Sequence, residues 1–96
     1  MHVLALEVEL HLADVGSLKV KRSIIKPVVE GARRRFAVAS AEVDHAEAWD
    51  RSALGFATVS GSARQATEVI DAVERFVWSF PEVEVVNTSR QWTEES

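Results

Sequence analysis

The sequence predicts an α+β fold: one four-stranded antiparallel sheet with two helices on one face. Three observations carry this expectation. Apolar residues alternate with period two over residues 3–12. They recur at helical spacing over 18–36 and again over 63–79. Short β-favouring runs fill the remaining segments, so the order is β-α-β-β-α-β within 96 residues.

The first strand places Leu4, Leu6, Val8, Leu10 and Leu12 on one face and Val3, Ala5, Glu7, Glu9 and His11 on the other. The turn "ADVGS" follows, and Asp14 or Ser17 can cap the next helix. In residues 18–36, a rotation of 100° per residue brings Leu18, Ile25, Val28, Val29, Ala32 and Phe36 onto one face. Pro27 falls on the side away from that face, so a kinked but single helix is expected. A second strand is expected over 37–45, a connection "AEAWDRS", and a third strand over 53–60. The short connection favours an antiparallel pair.

"SARQ" at 62–65 reads as a Ser-x-x-Gln capping box. The second helix should run to about Ser79, with Pro81 beyond its end. The last strand is expected over 83–92, and "TEES" as a frayed tail. Each half has one strand–helix–strand crossover, right-handed by the usual chirality. The compact solution is a ferredoxin-like β-α-β-β-α-β sandwich, a single domain over residues 1–96.

Composition bounds the function. The chain carries a net charge of −4 and has no cysteine, which removes disulfides and thiolate metal sites. It has no apolar run of membrane-spanning length and no secretory-signal pattern at its start. A cytoplasmic protein with no membrane partner is the expectation. The acidic balance opposes wholesale nucleic-acid binding, which only a local basic patch can overcome.

Such a patch exists. "LKVKRSIIKPVVEGARRRF", residues 18–36, holds seven of the eleven basic residues and one acid. Lys19, Arg22, Lys26 and Arg33 cluster within about 60° of helical arc, with Lys21, Arg34 and Arg35 completing the set. Lys19, Lys21, Arg22, Lys26, Arg33 and Arg34 are the candidate nucleic-acid contacts. The alternative is a solvated helix face, its last-turn arginines favoured by the helix dipole. In that case Glu68, Asp71 and Glu74 of the second helix are candidates to neutralise it.

The loop "EVDHAEAWDR", residues 42–51, is a second candidate site, with Asp44, His45, Trp49 and Arg51 as its chemistry-bearing residues. Asp44, His45 and Glu47 offer oxygen and nitrogen donors to a metal, but their spacing matches no specific motif. No nucleophile or oxyanion device accompanies His45, so no metal, no cofactor and no enzyme is the expectation. A polar hairpin loop tethered by Trp49 is the plainer reading. His2 and His11 show no evident partner and are expected at the surface.

"GFATV", residues 55–59, partly resembles the third-strand signature of RNA-recognition motifs. Leu54, Thr58 and Gly61 break it, and Glu7 and Glu9 on the same sheet face would repel RNA. Phe56 is therefore expected in the core. The open sheet face should carry Val3, Ala5, Gly55 and Ala57. Together with Trp49, Trp78 and Trp92, this face or an edge strand makes a homodimer plausible.

Taken together, "LEVELHL", "SLKVKR", "RRRF", "AEVDHAEAWDRSALG", "ATVSG" and "PEVEVV" run in order along nearly the whole chain. In these pieces the sequence resembles the YlxP-like family of small bacterial proteins of unassigned function. The resemblance implies a ferredoxin-like fold and a cytosolic protein. Such genes often lie beside those for translation and ribosome maturation factors, so the resemblance also makes an RNA- or ribosome-linked role the expectation. It supplies no catalytic residues. The leading functional reading is a non-enzymatic RNA- or ribosome-associated protein; the alternative is a protein-interaction module, a homodimer with no nucleic-acid role.

Overall fold

The computed structural model describes residues 1–94, with the backbone alone for Glu94. Its elements run β1 (His2–His11), α1 (Leu18–Phe36), β2 (Ala39–Asp44), β3 (Arg51–Ser60), α2 (Ala63–Trp78) and β4 (Glu84–Glu94). The strands form one antiparallel sheet in the order β2-β3-β1-β4.

The alternation in β1 sets the layers. Leu4, Leu6, Val8, Leu10 and Leu12 are all buried, in one core cluster with Ile25, Val28 and Ala32 of α1 and Ala66, Ile70, Val73 and Val77 of α2. Pairing carries that inward face sideways. Leu6 lies opposite Phe56 and Val8 opposite Leu54, and both partners are buried. Val3, Ala5, Gly55, Ala57 and Glu7 share the other, uncovered face by the same register. Phe56 is a core residue, not a stacking platform.

Both helices start where a serine can cap them. Ser17 and Ser62 are extended, and each side-chain oxygen accepts from the backbone N–H three residues on, that of Val20 and of Gln65, at 3.2 Å. α1 runs unbroken through Pro27, which is exposed and faces away from the core. It ends at Ala37, in the left-handed region at φ 54°, whose N–H donates to the carbonyl of Arg33 at 3.1 Å. The helices meet at Gly31. A Cβ there would lie 2.6 Å from Cζ of Phe76, so only glycine allows this approach. Phe76 stands edge-on to Phe36 and Phe80, with the Arg35 guanidinium 5.2 Å from its ring centre.

Element boundaries differ from expectation mostly by two residues or fewer. β4 departs in kind. A frayed tail was expected from Thr93, yet Thr93 and Glu94 pair with Val3 and His2 of β1. The rest of that expectation lies outside the described residues. Near its start β4 carries an irregularity, with Asn87 opposite Glu9 and Val85 opposite Leu10, so Val86 is the extra residue of a bulge.

Candidate functional site: the basic helix and the loop it holds

Two sequence segments singled out separately turn out to touch. Lys21 of α1 is 2 % exposed. Its ammonium donates to the carbonyls of His45 at 2.6 Å and Ala48 at 2.7 Å, and lies 2.9 Å from Oε2 of Glu42. Three N–H donors thus meet three close oxygens, and the Ala46 carbonyl stands off at 3.4 Å. Glu42 reaches this point because it is on the inward side of β2, opposite Leu54. Its carboxylate also accepts from the hydroxyl of Ser52, which is fully buried on β3.

The expectation that Lys21 meets phosphate is therefore corrected. Its charge is consumed inside the protein, in a loop it gathers around itself. The signal was present in the sequence. At 100° per residue Lys21 falls between Val28 and Ala32, inside the apolar arc of α1. A charge at that position must be buried with a partner.

The loop has the shape this anchor requires. His45 is left-handed at φ 61°, its N–H donates to Oδ1 of Asp44 at 2.7 Å, and its carbonyl accepts from Ala48 N–H at 3.0 Å. The carbonyls of the turn are thereby aimed inward at the ammonium. Nδ1 of His45 is 3.7 Å from Asp44 Oδ1. Trp49, expected as the tether, is 52 % exposed; Lys21 has that role instead. Arg51 is exposed at the start of β3, opposite His11. Among the described residues no three His, Asp or Glu side chains gather in a way that could hold a metal ion. Ser52, Glu42 and Lys21 form a hydrogen-bonded chain that joins β3, β2 and α1.

The remaining cations are outside. Lys19, Arg22, Lys26, Arg33 and Arg34 are all exposed. None has a carboxylate within ion-pair distance among the described residues. Arg33 spends one N–H on the carbonyl of Ser40, at 2.7 Å, while the Ser40 hydroxyl donates to the Val29 carbonyl. Arg22, Lys26 and Arg33 flank a groove of about 380 Å³, with Ile25 and Val29 along it and Lys21, Glu30 and Glu42 in its lining.

The acids offered as neutralisers of this stripe are engaged elsewhere. Asp71 and Glu74 hold Arg90 of β4 at 2.8 and 3.1 Å, and Glu68 pairs with Arg64. Burial opposes the charge on Arg90, but hydrogen bonds to Asp71 and Glu74 and their negative charge outweigh it, so its pKa is raised. His11, expected without a partner, lies 3.4 Å from Glu84, and His2 stands edge-on to Trp92.

The architecture defines a ferredoxin-like protein, and the comparisons agree. A designed protein with a ferredoxin fold superposes with a TM-score of 0.57 at 16 % identity, covering 97 % of this chain and 84 % of its own. A dimeric ferredoxin-like protein from an uncultured marine organism gives 0.55 at 11 % identity, covering 100 % and 99 %. Residues 3–90 match the family described as protein of unknown function DUF503, and the chain belongs to that family. It is 35 % identical over 86 residues to the uncharacterized protein YlxP of Bacillus subtilis (strain 168), covering 90 % of this chain and 94 % of that one. No helix among the described residues is long and apolar enough to cross a membrane.

Proposed function

We propose that the protein is a non-enzymatic binding protein that holds RNA, free or in the ribosome, against the outer face of α1. One observation carries this reading. Lys19, Arg22, Lys26 and Arg34 are exposed, and none has a carboxylate of the described residues within ion-pair distance, with Glu30 the one acid on the helix, although the protein as a whole is acidic. A single helix face then presents a positive field that the rest of the molecule lacks. Phosphate contacts from such a face position a nucleic acid without reading its bases. The adjoining groove, with Arg22, Lys26 and Arg33 along its rim, extends the contact surface toward β2.

The test is co-sedimentation with ribosomes and with purified RNA at two salt concentrations. Replacing Lys19, Arg22 and Lys26 together by Glu should abolish sedimentation at low salt while the circular dichroism spectrum is unchanged. Lys21 is left intact in this variant, because its loss would perturb the fold rather than the surface. Undiminished sedimentation of the triple variant would refute the proposal.

A further inference from the structure

The two edges of the sheet are unequal. β2 is short, and α1 packs beside it. Its Ser40 carbonyl is capped by Arg33, and Lys21 gathers in the carbonyls just past its end. These are the devices by which proteins blunt an edge. β4 has neither the shortness nor the capped carbonyls of β2, although it carries the bulge at Val86 and the charge of Arg90. It runs eleven residues with no proline, no lysine and no helix laid along its free side. From Glu84 to Thr93 not one of its side chains is buried, whereas β1 beside it buries every second residue. Val86 and Trp92 on this strand are large apolar residues, 54 % and 42 % exposed.

We infer that the free edge of β4 is the dimer interface, pairing antiparallel with β4 of a second copy about a two-fold axis at Ser89. The occupant follows from the strand's own sequence. A two-fold axis makes any antiparallel strand pair with itself, and the axis position sets which residues meet. With the axis at Ser89, each Val86 lies opposite the partner's Trp92. Val85 then meets Thr93, Asn87 meets Gln91, and Thr88 meets Arg90. Across residues 85–93 no like charges face one another and the two large exposed apolar residues of the strand come to facing positions; only at the strand ends does Glu84 meet the partner's Glu94. Trp92 and Arg90 lie opposite the buried Leu4 and Leu6 of β1, so they are on the helix side. Arg90 is tied back to Asp71 and Glu74 of α2, which keeps its charge inside its own subunit. The result is a continuous eight-stranded sheet with all four helices on one side. Both copies of α1 lie at its far ends, on the order of 30 Å apart at the usual strand spacing. This inference stands whether or not α1 binds RNA.

The chain has no cysteine, so one introduced thiol reports on one position. Directly opposed antiparallel residues have Cα atoms about 4.5–5.5 Å apart, within disulfide reach. Ser89→Cys should therefore give a disulfide-linked dimer on mild oxidation, far faster than Ser23→Cys, an exposed control on α1. Sedimentation velocity over a hundredfold concentration range should show a dimer for the native chain. Trp92→Lys and Val86→Lys should each weaken it at least tenfold with an unchanged circular dichroism spectrum. A monomer throughout, a dimer indifferent to both lysine variants, or Ser89→Cys crosslinking no faster than the control would each overturn the inference.

Discussion

Lys21 Nζ lies 2.9 Å from Oε2 of Glu42, and this contact joins the inner face of α1 to the inner face of β2. The same ammonium holds the His45 and Ala48 carbonyls, so a single buried charge fixes the helix, the edge strand and the loop behind it. Lys21→Met removes the charge and strands its acceptors. Breaking one side of a buried pair costs about 3–5 kcal/mol, and the partial exposure of Glu42 puts this case near the low end. Glu42→Gln keeps an acceptor for Lys21 but leaves its buried charge without a counter-charge, so it should also cost about 3 kcal/mol. Urea unfolding measures both. A Lys21→Met loss below about 1 kcal/mol would show that the loop does not depend on its anchor.

Two glycines distinguish a rigid contact from a yielding one. A Cβ at Gly31 would meet the ring of Phe76 at 2.6 Å, and that ring is wedged between Phe36 and Phe80. A Cβ at Gly55 would meet Cγ1 of Val43 at 2.8 Å, but Val43 is half exposed and can turn away. Gly31→Ala should therefore destabilise by roughly 1–2 kcal/mol, overpacking outweighing the gain of about 1 kcal/mol in helix propensity. Gly55→Ala should stay within about 0.5 kcal/mol of the native chain. Thermal unfolding of the two variants side by side decides the comparison.

The fold was legible because period and punctuation agreed at every step. The leucines of β1 alternate, Ser17 and Ser62 cap, and the apolar arc of α1 turns inward as its spacing requires. The site was legible only in pieces. By residue type Lys21 belongs with the basic set of α1, although its helical angle puts it among Val28 and Ala32. That it lands beside Glu42 and the turn at His45 is a tertiary fact, set by how α1 lies against β2. Pairing of Asp71 and Glu74 with Arg90 was hidden for the same reason, since β4 returns beside β1 from the far end of the chain.

Arg90 bridges β4 to α2, and its contribution should be modest. Its side chain is 31 % exposed and those of Asp71 and Glu74 are 44 % and 28 % exposed, so solvent screens the pairs. Arg90→Gln should cost about 1 kcal/mol at low ionic strength and less in 1 M salt. A group whose pKa is raised on folding stabilises in full below its unfolded value and loses that effect only above it. For an arginine that loss lies far above neutrality, so titration of Arg90 itself introduces no pH dependence into the neutral range. Unfolding curves of Arg90→Gln at neutral pH and at pH 9 should show the same difference from the native chain.

The division between inner and outer cations on α1 can be read from the salt dependence of RNA binding. For a single strand, each phosphate neutralised adds about 0.7 to the slope of log affinity against log salt. Lys19→Ala, Arg22→Ala and Lys26→Ala should each lower that slope by about 0.7 and weaken binding without changing stability beyond about 0.5 kcal/mol. Lys21→Met should do the reverse. A domain of this size has about 5–15 kcal/mol in hand, so this variant remains mostly folded in dilute buffer despite its loss. With its charge already spent on Glu42 and the loop carbonyls, it should keep the native slope. A Lys21→Met slope that falls as far as that of Lys26→Ala would mean the ammonium leaves its carbonyl cage for phosphate, and the two-layer reading of α1 would be wrong.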